Sequence, residues 1–294
     1  MVSLYGEPLQ KYDDNFELYL DPAAEHQIEL RLKNFTPPAS GNIDMTSMTA
    51  DEAQTTILAA LATGFTELKL TGELSKIGMG GNWGTFINNK KITKCDLTGV
   101  TGWGRTPTLP ELAFMNCTAL QEVTLPDDVR VIGSSAFFGC AALTTVNLSQ
   151  VTWINLNAFY ECTSLEMLIL DNVTEIGREV FYGCTSLKTL KIPKCTRFGN
   201  YIVTGCKALT RIEATATGDF LDIIGNSSIE NYAVFHNRDT HSGENAFAPA
   251  RCDLVLNTDK QEDGTAVPKV SGNNRWTLAA NASPMMWKNI TFRQ

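Results

Sequence analysis

Eight cysteines and three histidines are the residues of this 294-residue chain best suited to metal or redox chemistry. The cysteines are Cys95, Cys117, Cys140, Cys162, Cys184, Cys195, Cys206 and Cys252; no two form C-x-x-C, and none stands near a histidine at zinc-like spacing. Five of them, Cys117, Cys140, Cys162, Cys184 and Cys206, fall 23, 22, 22 and 22 residues apart. A residue that returns once per unit at a fixed phase marks a packing position in a stacked repeat. Each of these thiols is therefore expected to be a small buried hydrophobe giving a weak hydrogen bond to a backbone carbonyl. Cys195 stands where Val151 and Val173 stand in neighbouring units and reads the same way. Cys252 lies outside the frame and is the thiol expected to be exposed. The cysteines thus imply neither metal nor cofactor.

The histidines are His26, His236 and His241. His236 and His241, with Asp239 and Glu244, form a cluster that could hold a metal or a catalytic pair, but the spacing matches no ligand template and polar loop composition accounts for it. The stretch Gly78 to Gly84 lacks the P-loop lysine and hydroxyl residue, and its third spacing departs from G-x-G-x-x-G. Neither G-x-S-x-G nor H-E-x-x-H occurs. No pair of carboxylates is singled out for glycoside hydrolysis. No catalytic residue is assigned, and the chain is read as not an enzyme.

The elements that would position any site follow from the same period. Three residues after each in-phase cysteine come Leu120, Leu143, Leu165, Leu187 and Leu209. Val123, Val146, Leu168, Leu190 and Ile212 come six after, and Leu125, Leu148, Leu170, Ile192 and Ala214 eight after. Phe114, Phe137, Phe159, Phe181 and Val203 lie three before. The pair at six and eight has period two and predicts a short strand with both side chains inward. The A-F-x-x-C stretch predicts a helical or irregular arc on the opposite side. One coil cannot bury its apolar face alone, so the coils stack and their strands pair in parallel. Phe65-x-x-Leu68-x-Leu70 and Ile92-x-x-Cys95-x-Leu97 extend the frame upstream, and Leu254-x-Leu256 reads as a last strand. The fifth unit, with Val203 and Ala214, is where the array is expected to loosen. The Asp127-Asp128 turn, which carries the one extra residue, is expected to bulge.

The ends differ, as solenoid ends must. Residues 1–48 form an N-terminal segment with a hairpin predicted from the alternation in Phe16 to Leu20 and Ile28 to Leu32. Residues 49–64 form a capping helix announced by the Thr49/Glu52 capping box. Repeat coils occupy 65–217, an irregular insertion 218–250, and a last strand with a C-terminal cap 251–294, in which Trp276, Trp287, Ile290 and Phe292 cover the final coil. The net charge of −8 disfavours nucleic acid and anionic membrane. No apolar run reaches the eighteen residues or so of a spanning helix. The start, Met1 to Glu7, has neither a basic nor an apolar leader region.

Ala136-Phe137-Phe138-Gly139-Cys140-Ala-Ala-Leu143 and Val180-Phe181-Tyr182-Gly183-Cys184-Thr185-Ser186-Leu187 resemble the repeats of the BspA-like leucine-rich repeat family of bacterial, Bacteroides-type, cell-surface and secreted proteins. The resemblance extends over about 49–292, through Cys252 to Asn257 and Trp287 to Phe292. It implies a leucine-rich-repeat solenoid with a parallel sheet on one face and short helical or irregular arcs on the other. It also implies an extracellular, cell-surface or periplasmic setting, adhesion or host-protein binding, and no catalytic residues.

The strand positions five and seven after each cysteine alternate with the inward ones and point to solvent. Most are polar, but Met167 and Ile169 are an outward apolar pair. The candidate binding face is therefore Met167, Ile169, Lys191, Arg211, Glu122 and Asn147, for a protein or glycan partner of a monomeric chain. A loop of the insertion folding over Met167 and Ile169 is the competing reading. The alternative function is a structural spacer in a larger surface protein; a glycan-acting enzyme is a distant third.

Overall fold

The structure, a computed structural model, describes residues 3–4, 7–8, 38–79, 84–215, 251–257, 270–271, 275–276 and 288–293. The hairpin predicted at 16–32, the 218–250 insertion with its histidines, residues 80–83 of the glycine-rich stretch, and Trp287 lie outside the described residues.

Inward apolar residues repeating at one coil's length give parallel strands in register. Leu68 pairs with Cys95, Cys95 with Val123, and Val123 with Val146. Further along, Leu168 pairs with Leu190, Leu190 with Ile212, Ile212 with Leu254, and Leu254 with Ile290. These strands form the sheet face expected for the solenoid, but in two sheets. One runs through Asn42–Asp44, Glu67–Glu73, Lys94–Thr101, Glu122–Thr124 and Thr145–Val146. The other runs through Met167–Ile169, Thr189–Ile192, Arg211–Thr215, Asp253–Asn257 and Asn289–Arg293.

The break corrects the expectation of one sheet containing both Val146 and Leu168. Beside it, Asn147 turns back to the preceding coil. The Leu125 N–H donates to Asn147 Oδ1 at 2.6 Å, and Asn147 Nδ2 donates to the Leu125 carbonyl at 2.9 Å. The carboxamide thus takes the place of the next backbone link to the preceding coil, on the side away from Met167. The array does not loosen at the fifth unit, as its altered residues led one to expect. Arg211–Thr215 pairs there with a strand on each side. Asp127 and Asp128 form an exposed turn, and the register shift in the strands falls instead between Lys69 and Thr71. Leu254 and Leu256 are not on the last strand, because Asn289–Arg293 adds beyond them.

On another side of the coil lies a parallel sheet of two-residue strands, the second sheet face of the solenoid or simply the second sheet: Thr108–Leu109, Val131–Ile132, Trp153–Ile154, Glu175–Ile176 and Arg197–Phe198. Between the faces runs a column of buried rings. Phe86, Phe114, Phe137, Phe159 and Phe181 stack with centroids 5.2, 5.6, 5.1 and 6.0 Å apart. At the N-terminal end, helix Ala50–Ala62 links Asn42–Asp44 to Glu67–Glu73 and buries Ala53, Ile57, Ala60 and Leu61 in the same core. Its capping box is formed: Thr49 N–H donates to Glu52 Oε2 at 2.8 Å, and the Glu52 N–H donates to Thr49 Oγ1 at 3.3 Å.

Candidate functional site

The in-phase thiols form an internal ladder. Cys117 Sγ donates to the Phe86 carbonyl at 2.8 Å, Cys140 to Phe114 at 3.0 Å, Cys162 to Phe137 at 3.1 Å, Cys184 to Phe159 at 3.2 Å, and Cys206 to Phe181 at 3.0 Å. Burial pushes the Cys117 and Cys184 thiols up to about 12. Such thiols carry almost no thiolate at neutral pH and are neither nucleophiles nor ready metal ligands. Cys95 is fully buried on a strand, where later coils have Val123 and Val146. Cys252 corrects the expectation of an exposed thiol: it is buried, and burial pushes it up to about 12. It directly precedes the Asp253–Asn257 strand, and the Lys288 N–H donates to its carbonyl at 3.2 Å, so the final strand lies against it. Among the described residues no group of His, Cys, Asp and Glu could hold a metal ion.

The aromatic row two residues before the cysteines is a stack. Phe138 and Tyr160 lie 4.6 Å apart with their planes 7° apart, and Tyr160 and Tyr182 lie 4.3 Å apart at 5°. The rings spend their facing surfaces on one another.

The outward sheet face is where the candidate residues lie. Met167 is 59% exposed and Ile169 50%. Met167 is in register with Thr189 and then Arg211; Ile169 is in register with Lys191 and then Glu213. Lys191 pairs with Asp171 at 3.1 Å, and Arg211 with Glu213 at 2.6 Å. Four of the six candidates therefore share one sheet. Glu122 lies across the break, 4.0 Å from Lys94. Asn147 also lies across it, with both ends of its carboxamide engaged by Leu125.

Charge on this face is neutralised strand by strand. Lys94 also meets Glu67 at 3.5 Å, Lys69 meets Asp96 at 3.2 Å, and Lys188 meets Glu166 at 2.9 Å. Partial burial pulls the Asp96 carboxyl up, but hydrogen bonds from Thr98 and the Lys69 ammonium outweigh it and hold the group below its usual range. Thr145, Asn147, Met167 and Ile169, around the break, form an uncharged stripe between these pairs.

Sequence reasoning missed Trp153 and Leu156, 40% and 44% exposed on and just after the second sheet. Only the register of Trp153 with Val131 and Glu175 would have flagged it. Among the described residues no helix is long and apolar enough to cross a membrane.

Residues 85–216 match the family described as BspA type Leucine rich repeat region, in six copies. No curated protein matches the sequence. Solved structures similar to the chain include a leucine-rich-repeat protein of T. pallidum, at 24% identity, 50% of this chain, 64% of that one and a TM-score of 0.34. Another is a leucine-rich cell surface protein of Faecalibacterium prausnitzii A2-165, at 24% identity, 57% of this chain, 45% of that one and a TM-score of 0.36. A third is a leucine-rich repeat protein of Eubacterium ventriosum ATCC 27560, at 20% identity, 66% of this chain, 51% of that one and a TM-score of 0.42. The chain spans less than two thirds of the length of each of these three. With their thiol ladder and phenylalanine column, residues 85–216 are an array of BspA-type leucine-rich repeats.

Proposed function

We propose that this chain is a non-catalytic ligand-binding or adhesion module of a bacterial surface or secreted protein. Its working surface is the outward sheet face centred on Met167 and Ile169, and its partner is a protein or a glycan. The observation that carries this is the exposure of those two side chains, 59% and 50%, on a face whose charged residues are paired with one another. Large apolar side chains left in water on a rigid sheet favour a partner that covers them. The buried, neutral thiols support a non-catalytic role.

The test is binding of the full chain to a glycan array and to a panel of extracellular proteins, with wild type beside Met167→Asp/Ile169→Ser. The double variant is expected to keep its circular dichroism spectrum and lose at least tenfold in affinity for whatever wild type binds. Unchanged affinity moves the site off this face. No binding by wild type to either panel favours the spacer reading.

A further inference from the structure

The first sheet parts between Thr145–Val146 and Met167–Ile169, yet the same two coils stay joined elsewhere. Trp153 pairs with Glu175 in the second sheet. On the arc, the Phe137 N–H donates to the Ala158 carbonyl at 2.8 Å and the Ser164 N–H to that of Ala141 at 3.1 Å. The opening is therefore a seam confined to one face.

In a parallel ladder each strand turns alternate amide groups toward each neighbour. The Leu170 N–H donates to the Lys191 carbonyl at 2.9 Å and the Thr189 N–H to that of Glu166 at 3.4 Å. The N–H groups of Met167 and Ile169 and the Met167 carbonyl consequently face the seam. Across it, the Thr145 N–H donates to the Gln121 carbonyl at 3.1 Å, which turns the Val146 N–H and the Thr144 and Val146 carbonyls toward Met167. Among the described residues no backbone group answers either set. Backbone groups left this way take water or a partner.

The partner's chemistry follows from what lines the seam. Both edges offer donors and acceptors in alternation at strand spacing, the pattern another peptide backbone presents. The flanking side chains Thr145, Asn147, Met167 and Ile169 offer no counter-ion, whereas the next junction beyond Met167 carries Lys188–Glu166. We infer that the seam is a docking slot for an extended polypeptide strand with uncharged, β-branched side chains, which enters between the two edges and bonds to both. This deepens, and rests on, the binding reading of the same face. Admitting a strand requires the edges to stand about two strand spacings apart, ~9.6 Å, and the joined second sheet and arc supply the hinge.

The slot is tested on the full chain with an acetylated, amidated heptapeptide of alternating Thr and Val. A copy N-methylated at alternate residues cannot donate to one edge and serves as the control. The readout is hydrogen exchange at the Met167 and Ile169 amides. The first peptide is expected to slow both at least tenfold, and the methylated one to leave them unchanged. No slowing in wild type at millimolar peptide, or equal slowing by the methylated copy, overturns the slot. Either result leaves the wider reading standing, because Met167→Asp/Ile169→Ser tests that one with ligands bound on the outward face.

Discussion

The thiol of Cys162 donates to the carbonyl oxygen of Phe137, 25 residues back and one coil away, at 3.1 Å. Four other cysteines repeat the contact, so the array is laced from coil to coil by side chains that are neutral only while protonated. Folding raises the Cys117 and Cys184 thiols from 9.0 to about 12 through burial. The unfolded chain thus begins to lose these protons near pH 9.0, while the folded chain holds them to about 12. Their contribution to stability is whole below pH 9.0 and declines as pH rises through that window, by up to about tenfold per pH unit in the unfolding equilibrium for each thiol. Urea denaturation at pH 8, 9 and 10 is expected to show the decline, with a shallower slope in Cys184→Ala. A flat profile would show that the thiols are not protected. Native thiol titration at pH 8 should label few of the eight cysteines, and labelling should become complete in denaturant.

Asn147 caps the backbone of Leu125 with both ends of its carboxamide. Asn147→Ala removes two hydrogen bonds at a half-buried site and is expected to cost ~1–3 kcal/mol. Asn147→Asp keeps the acceptor but sets a carboxylate against the Leu125 carbonyl. It should therefore be the more destabilised of the two at pH 7 and recover toward pH 4. Equal loss at both pH values would refute that assignment of donor and acceptor.

Phe137 lies between Phe114 and Phe159 in the buried column. Phe137→Ala leaves a cavity in the middle of the array, and large-to-small changes of this kind cost ~3–5 kcal/mol. A melting temperature unchanged from wild type would mean that the column is not continuous in solution.

Gly177 has no room for a side chain, since an added Cβ would stand 2.6 Å from the Leu156 amide nitrogen and 2.8 Å from the Asn155 carbonyl carbon. Both are backbone atoms, so Gly177→Ala must push two coils apart. It should destabilise by more than ~1 kcal/mol, the range of an overpacked core. Gly64→Ala, in open space with φ +104° at the helix end, should cost less and only through backbone strain. Parallel urea melts of the two variants check the order.

The repeat was legible because burial at fixed phase is a periodic property of the side chains, and the cysteine spacing carried it. The second sheet was not, because strands as short as Trp153–Ile154 contain no full alternation. The strand Asn42–Asp44, at the edge of its sheet, escaped for the same reason: Ile43 is its one inward residue. The outward positions of Met167 and Ile169 could be read from alternation alone. The break beside them could not, because Val146 and Leu168 keep the phase of the repeat across it. Cys252 misled because its neighbour in the sheet is the far strand Asn289–Arg293, which no count from the preceding cysteines reaches.

The thiol ladder also bears on how such a molecule changes length. Cys140, Cys162, Cys184 and Cys206 each reach a phenylalanine in the coil before, so most junctions are interchangeable. A gene duplication running from one cysteine codon to the next would insert a whole coil and reproduce every contact at its borders. The junction between Thr145–Val146 and Met167–Ile169 is the exception. A duplicated stretch that spanned both strands would copy the interrupted junction as well, so arrays of this type can gain or lose open seams by the same event that lengthens or shortens them.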